Sequence, residues 1–159
     1  MREQESAVVP EGFEIVPEGF GFIDVLQPLY RRVEGDSVSF GLVVQEQHCN
    51  SMGICHGAVL MTLADVVAAS GVNHACGVLA GNPTLNIAVD FISAAQRGQW
   101  IQGDAEQVSL KRRFGFASGT VYDGARGIVA RFNGTIYLPG HDGVDKSGRR
   151  DSPLGSPPG

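Results

Sequence analysis

The chain has 159 residues, 43% of them hydrophobic, which suits one globular domain with a sizeable core. Twelve basic against seventeen acidic residues leave a formal charge of −5, which argues against a general nucleic-acid binder or a protein held on an anionic membrane and confines any phosphate contact to a local site. The first residues contain no apolar run of signal-peptide length, and three cysteines cannot all pair within one chain, so a reduced, cytoplasmic setting is expected.

Residues 1–27 read as a partly ordered N-terminal arm. They hold a short duplication, Val9-Pro-Glu-Gly-Phe13 and Val16-Pro-Glu-Gly-Phe20, whose prolines and glycines discourage regular structure. Phe13, Phe20 and Phe22 would lay this arm over the domain surface or over a partner subunit. The folded domain is expected over 28–139. Pro28–Val33 and Ser37–Val44 read as two strands about a Glu34-Gly35-Asp36 turn, with Val38, Phe40, Leu42 and Val44 alternating onto one face.

Ala58–Ala69 is helix material, led in by Gly57 and closed by Gly71 and Asn73, residues that suit left-handed C-terminal caps. It has no polar side and, at about 14 residues, falls short of the ~20 that a membrane span needs, so it is expected as a core helix wrapped by other elements. Asp65 is the sole charge within it. A carboxylate in such surroundings costs several kcal/mol unless it is paired or partly wet, so chance placement is disfavoured, with a structural acid as the competing reading.

Thr84–Phe91 alternates again through Leu85, Ile87, Val89 and Phe91, with Pro83 fixing the way in. Trp100–Leu110 reads as a further strand. Phe114–Tyr122, the 123–127 turn and Ile128–Leu138 complete two more as a hairpin. From residue 140 Gly, Pro, Ser and charge dominate, and the tail 140–159 is expected to be disordered. The sum is an α+β domain in which an antiparallel sheet curves around one helix.

The chemistry gathers before and within that helix. Asn50, Gly53, His56 and Gly57 occupy the approach loop, and the N–H groups of a helix start are a ready site for a developing oxyanion while Asp65 handles water. Asn50-x-x-Gly53-x-x-His56-Gly57 followed by Leu63-Ala64-Asp65 resembles the active-site signature of hotdog-fold acyl-CoA thioesterases of the PaaI-like, phenylacetate-pathway type, over about Val38 to Leu138. One departure is visible: the family usually carries a second glycine after His-Gly, and here Ala58 stands there.

The resemblance implies a hotdog fold, a curved antiparallel sheet wrapped around one long central apolar helix. It implies a thioester hydrolase acting on an acyl-CoA or aroyl-CoA, with the carbonyl polarised by the Gly57 N–H and Asn50. Asp65, supplied by the partner subunit, would be the general base or nucleophile. His56 would be a positioning residue, and the Thr84 hydroxyl would orient the water or the carboxylate. Lys111, Arg112 and Arg113, at a hairpin tip, would meet coenzyme A phosphates, and some of Val59, Met61, Phe91 and Phe116 would line the acyl group. Gly57 and Asp65 lie roughly 12 Å apart along a helix axis, so one chain is not expected to complete the site. A homodimer or a dimer of dimers, a homotetramer, is the expected assembly. No cofactor is expected, coenzyme A being part of the substrate, and neither nucleic acid nor membrane is expected as a partner.

Two other functions compete. A hydratase or dehydratase acting on acyl thioesters would use the same fold with a His and a carboxylate facing one substrate. A zinc or redox module would draw on His48, Cys49, Cys55, His56, His74 and Cys76, although adjacent His-Cys pairs are not the usual ligand spacing.

Overall fold

A computed structural model describes residues 7–77 and 81–139. The expected tail at 140–159 therefore lies outside the described residues, as do residues 1–6 of the arm.

Among the described residues seven strands form one antiparallel sheet in the order β1-β2-β3-β5-β6-β7-β4. In chain order they are β1 (Glu14–Ile15), β2 (Tyr30–Glu34), β3 (Ser37–Val43), β4 (Thr84–Phe91), β5 (Trp100–Lys111), β6 (Phe114–Asp123) and β7 (Ile128–Tyr137). The one α-helix among the described residues, α1 (Gly57–Cys76), lies between β3 and β4 in sequence and packs against β3 to β7 on the concave face of the sheet. This is the hotdog fold, built from the strand pair, helix and four strands that the hydrophobic periodicity describes, with one strand more, β1, which the arm adds to the free edge of β2.

The helix lies close to the sheet because small residues let it. A Cβ on Gly115 of β6 would come within 2.2 Å of Val72, and one on Gly103 of β5 within 2.9 Å of Val67. The same closeness explains why the helix is longer than its sequence suggests. Gly71 does not cap it; that glycine stays helical and faces Ala105 of β5, whose Cβ would be only 2.8 Å from an added one. The helix runs on to Cys76 and ends at Gly77, with φ 65° and its N–H bonded to Asn73 and His74 carbonyls. At 20 residues α1 has the length and apolarity of a membrane span, so brevity does not mark it as a core helix. Its packing does, since 67% of the apolar window is buried inside the fold.

One side of α1 stays open. Ala58 and Met61 are exposed and Gly57, Thr62, Asp65 and Ala69 half-buried, a stripe at three- and four-residue spacing, whereas Leu60, Leu63, Ala64 and Val67 are in the core. Beside that stripe runs β4, which follows the helix directly but pairs with β7 alone and forms one edge of the sheet. Its apolar face is less covered than the alternation suggests: Leu85 is 56% and Phe91 53% exposed.

The arm docks on the opposite, convex face. Ser39, Gly41 and Val43 of β3 point there and are buried, because Trp100 covers Gly41 and Phe13 packs edge-on against Trp100 at 5.0 Å. The guanidinium of Arg32 lies over Phe13 at 4.5 Å. Phe20 and Phe22, by contrast, remain exposed.

Candidate active site

Residues 44–56 carry the chain from β3 to the helix. A short 3-10 helix, Glu46–His48, is held by the buried His48 ring, whose Nδ1 accepts the Gln45 N–H at 3.0 Å while Nε2 meets the Val25 carbonyl at 3.0 Å. The loop then turns at Asn50. Its Oδ1 accepts the N–H groups of Met52 at 2.9 Å and Ile54 at 3.4 Å, and Gly53 supplies the required positive φ of 75°. With Oδ1 committed to the loop, the Asn50 amide nitrogen is the end left to donate outward.

His56 is the N-cap of α1. Its Nδ1 accepts the Ala58 N–H at 2.9 Å, and its carbonyl accepts the N–H groups of Val59 at 2.9 Å and Leu60 at 3.3 Å. The first turn is thereby satisfied except at Gly57, whose N–H has no hydrogen-bond partner among the described residues. The His56 ring, with Nδ1 accepting, carries its proton on Nε2.

Asn50, Ile54, Cys55, Gly57, Leu60 and Phe91 border a hollow of about 290 Å³ at this helix start. Phe91, the last residue of β4, lies over Gly57, where a Cβ would come within 3.4 Å of the ring. Ile54 and Leu60 are site residues that sequence reasoning did not single out, being apolar positions with no chemistry to mark them, and Cys55, named there only as a metal or redox candidate, proves to border the same hollow.

Asp65 is held elsewhere. It sits half-buried a little over two helical turns beyond Gly57, and Thr84 at the other end of β4 donates its hydroxyl to Asp65 Oδ1 at 2.6 Å. A β-bulge makes this contact. Thr84 pairs with Ile136 but Asn86 with Thr135, leaving Leu85 as the extra residue. The shift turns Thr84 to the helix side with Ile87, Val89 and Phe91, and the expected place of Leu85 in that row is lost.

Within one chain, then, β4 and α1 make two separate half-sites: Asn50, Gly57 and Phe91 at one end, Asp65 and Thr84 at the other. Met61 lies on the open stripe midway between them. Phe116 joins neither. Gly115 and Ala117 are its helix-facing neighbours, and Phe116 points to the convex face beside Asn86, Gln107, Ser109 and Thr135, because side chains alternate along a strand. It does not line the helix surface of its own chain. Val59 is core.

Lys111, the last residue of β5, and Arg112 and Arg113, the two-residue tip of the β5–β6 hairpin, are exposed, with Arg112 at φ 53°. Gly115, two residues on from Arg113, meets Val72 near the C-terminal end of α1. Helix rise puts Val72 roughly 22 Å from Gly57, so this tip does not reach the half-site of its own chain that holds Asn50. A larger hollow, of about 660 Å³, lies beside Trp100 and Arg126 on the convex side and contains none of the motif residues.

The six His and Cys residues of the metal reading fall into two groups at opposite ends of α1. His48 is committed to Gln45 and Val25, His56 to Ala58, and His74 Nε2 to the Gly35 carbonyl at 2.8 Å. Among the described residues no three His, Cys, Asp or Glu side chains come together as a metal site.

Comparison with known proteins identifies the family and the fold. The thioesterase superfamily model matches residues 52–130. A Pseudomonas aeruginosa protein provisionally named esterase PA0474 is 32% identical over 136 residues, 82% of this chain and 98% of that one. Among solved structures, zebra fish thioesterase superfamily member 2 superposes with a TM-score of 0.68 at 25% identity, over 76% of this chain and 88% of its own. A hypothetical thioesterase protein of Streptococcus pneumoniae, solved with coenzyme A, has the same fold, with a TM-score of 0.65 at 18% identity over 73% and 89% of the two chains.

Proposed function

The chain belongs to the thioesterase superfamily, whose hotdog fold it has, and we propose that its reaction is hydrolysis of an acyl-CoA or aroyl-CoA thioester at a site shared by two chains. The observation that carries this reading is the contrast along α1 between one unengaged N–H, at Gly57, and one carboxylate, at Asp65. The S. pneumoniae neighbour's coenzyme A supports the class of thiol.

The thioester oxygen would accept from the Gly57 N–H and the Asn50 amide, which stabilise the negative charge that develops as the carbonyl is attacked. Asp65 either takes a proton from the attacking water or attacks the carbonyl itself to give an anhydride that water then opens. In both routes the carbon–sulfur bond breaks, coenzyme A leaves as its thiolate, and the acid is released. Thr84 fixes one carboxylate oxygen and leaves the other for the reaction. No resident cofactor enters these steps.

Two chains related by a two-fold axis would supply all these groups at once. Gly57 and Asp65 are symmetric about Met61 on the open stripe of α1, and Phe91 and Thr84 are symmetric about Ile87 and Ala88 on β4. Since Gly57 touches Phe91 and Asp65 bonds Thr84, one axis serves both elements, with β4 pairing antiparallel to its copy. Such a pairing also covers an apolar sheet edge, which alone would invite aggregation. The antiparallel helices carry the Lys111–Arg113 tip of one chain toward the Asn50 loop of the other, where phosphates of coenzyme A would meet it.

A panel of acyl- and aroyl-CoA substrates assayed by thiol release, with enoyl-CoA hydration as the contrasting assay, tests the reading. Thiol release should be found, and Asp65→Asn should lower kcat by roughly 10² or more with the fold intact. Near-normal turnover by that variant, or hydration without thiol release, would overturn it.

A further inference from the structure

The loop bearing Asn50 and leading into Gly57 closes on itself through two cysteines. Cys49 and Cys55 face each other in an isolated antiparallel bridge. The bonds on either side run from Asn50 N–H to the Ile54 carbonyl at 2.9 Å and from His56 N–H to the His48 carbonyl at 2.8 Å. That pattern makes the cysteines a non-hydrogen-bonded pair, whose Cα atoms stand about 4.5 Å apart with side chains on one face. A disulfide spans Cα separations of about 4.4–6.8 Å. Both thiols are free, with Cys49 Sγ turned to the Gln45 carbonyl at 3.3 Å and Cys55 Sγ toward the His56 carbonyl at 3.9 Å, so rotation of the side chains brings the sulfurs together.

We propose that Cys49 and Cys55 form a peroxide-sensitive thiol pair that closes reversibly to a disulfide and, by turning the Cys55 side chain beside the hollow and cross-linking the loop that bears Asn50, slows the reaction at the candidate site. Cys49, the more exposed of the two, reacts first. Its sulfur attacks hydrogen peroxide, the O–O bond breaks, and sulfenic acid and one water result. The Cys55 sulfur then attacks the Cys49 sulfur, the S–O bond breaks, and a second water leaves. Two thiols are oxidised and one peroxide is reduced. Burial, aided by the neighbouring Cys49, pushes the Cys55 thiol up to about 12, so the second step proceeds through a rare thiolate and quickens as pH rises.

The effect on turnover follows from position. Cys55 borders the hollow at the helix start, and Cys49 precedes Asn50. Closure takes Cys55 Sγ from the His56 carbonyl to Cys49 and constrains the turn that presents Asn50, and a displacement near 1 Å of groups that must converge on one carbonyl costs up to about 10²-fold. Cys76 lies at the other end of α1, roughly 28 Å along the axis from Gly57, and does not compete within the chain.

The chemistry stands apart from the thioesterase reading, and only the effect on turnover rests on it. Peroxide-treated protein should lose about 2 Da, keep one alkylatable thiol, assigned by fragment mapping to Cys76, and regain its mass and other thiols with a dithiol reductant. Thiol release from coenzyme A thioesters should fall about tenfold or more on oxidation and recover on reduction. Cys49→Ser should keep the basal rate and lose the response, while Cys76→Ser responds as the natural chain does. Three alkylatable thiols after treatment, or a Cys49→Ser variant as sensitive as the parent, would overturn the thiol pair. A disulfide that forms without changing turnover would overturn the brake, and absence of thiol release from every substrate before oxidation would count against the thioesterase reading instead.

Discussion

Thr84 and Asp65, nineteen positions apart in the chain, are joined by a 2.6 Å hydrogen bond in which the threonine hydroxyl donates to the carboxylate. The distance is in the range of a charge-assisted O–H···O⁻ bond, and it ties down one oxygen of the carboxylate carried by α1.

If that bond orients Asp65 for reaction, Thr84→Val should lower kcat by about 10-fold to 100-fold, the range set by the ~1.5–3 kcal/mol of a hydrogen bond to a charged group, and leave KM nearly unchanged. Thr84→Ser restores the hydroxyl and should restore most of the rate. Steady-state thiol release for the three proteins checks this; equal turnover by the valine variant would reduce Thr84 to a structural strand residue.

The shared site predicts complementation. Asn50→Ala and Asp65→Ala should each be inactive alone. In a mixed dimer one site inherits both defects and the other inherits neither, so random pairing after joint unfolding and refolding should return roughly a quarter of natural activity. A mixture that stays inactive, although mass spectrometry of the intact assembly finds mixed dimers, would require the site to be rebuilt within one chain.

Replacing Arg112 and Arg113 together by alanine should raise KM for coenzyme A thioesters severalfold while kcat changes little, since contacts to phosphates far from the carbonyl hold substrate and transition state alike. Thioesters of a truncated thiol without the nucleotide provide the control. Equal losses for both substrate types would remove the arginines from phosphate binding.

His48 links acid to stability. Burial, the larger cause, holds its pKa below the ordinary 6.5 against the opposite pull of the Val25 and Gln27 carbonyls. The unfolded chain takes up a proton near pH 6.5 that the folded chain resists, so this contribution to stability is full above about pH 6.5 and is lost as pH falls below it. His48→Gln, which keeps a donor for Val25 but gives up the Gln45 bond, should cost about 1–2 kcal/mol at pH 7.5. Thermal melts at pH 7.5 and pH 5 should show the gap from the natural protein narrowing in acid; a constant gap would mean that His48 protonates freely while folded.

What the amino-acid sequence determines here is short in range. The alternation of Val38, Phe40, Leu42 and Val44, the apolar run around Asp65, and the glycine-bearing turns specify two-residue and 3.6-residue periods, and those periods define the strands, the helix and their order. The loop from Asn50 to Gly57 is similarly local, because its turn and helix cap close within eight residues. Tertiary structure decided the rest. The helix passes Gly71 because a glycine is needed where Ala105 approaches, a demand made from 34 positions away. Thr84 displaces Leu85 from the helix-facing row because pairing with β7 inserts a bulge, and Phe116 faces outward because the β6 register puts Gly115 and Ala117 against the helix. The separation of Gly57 from Asp65 could be counted from the sequence, but the edge position of β4 beside an open helix stripe could not, since strand order is set by packing around α1 and leaves no local trace.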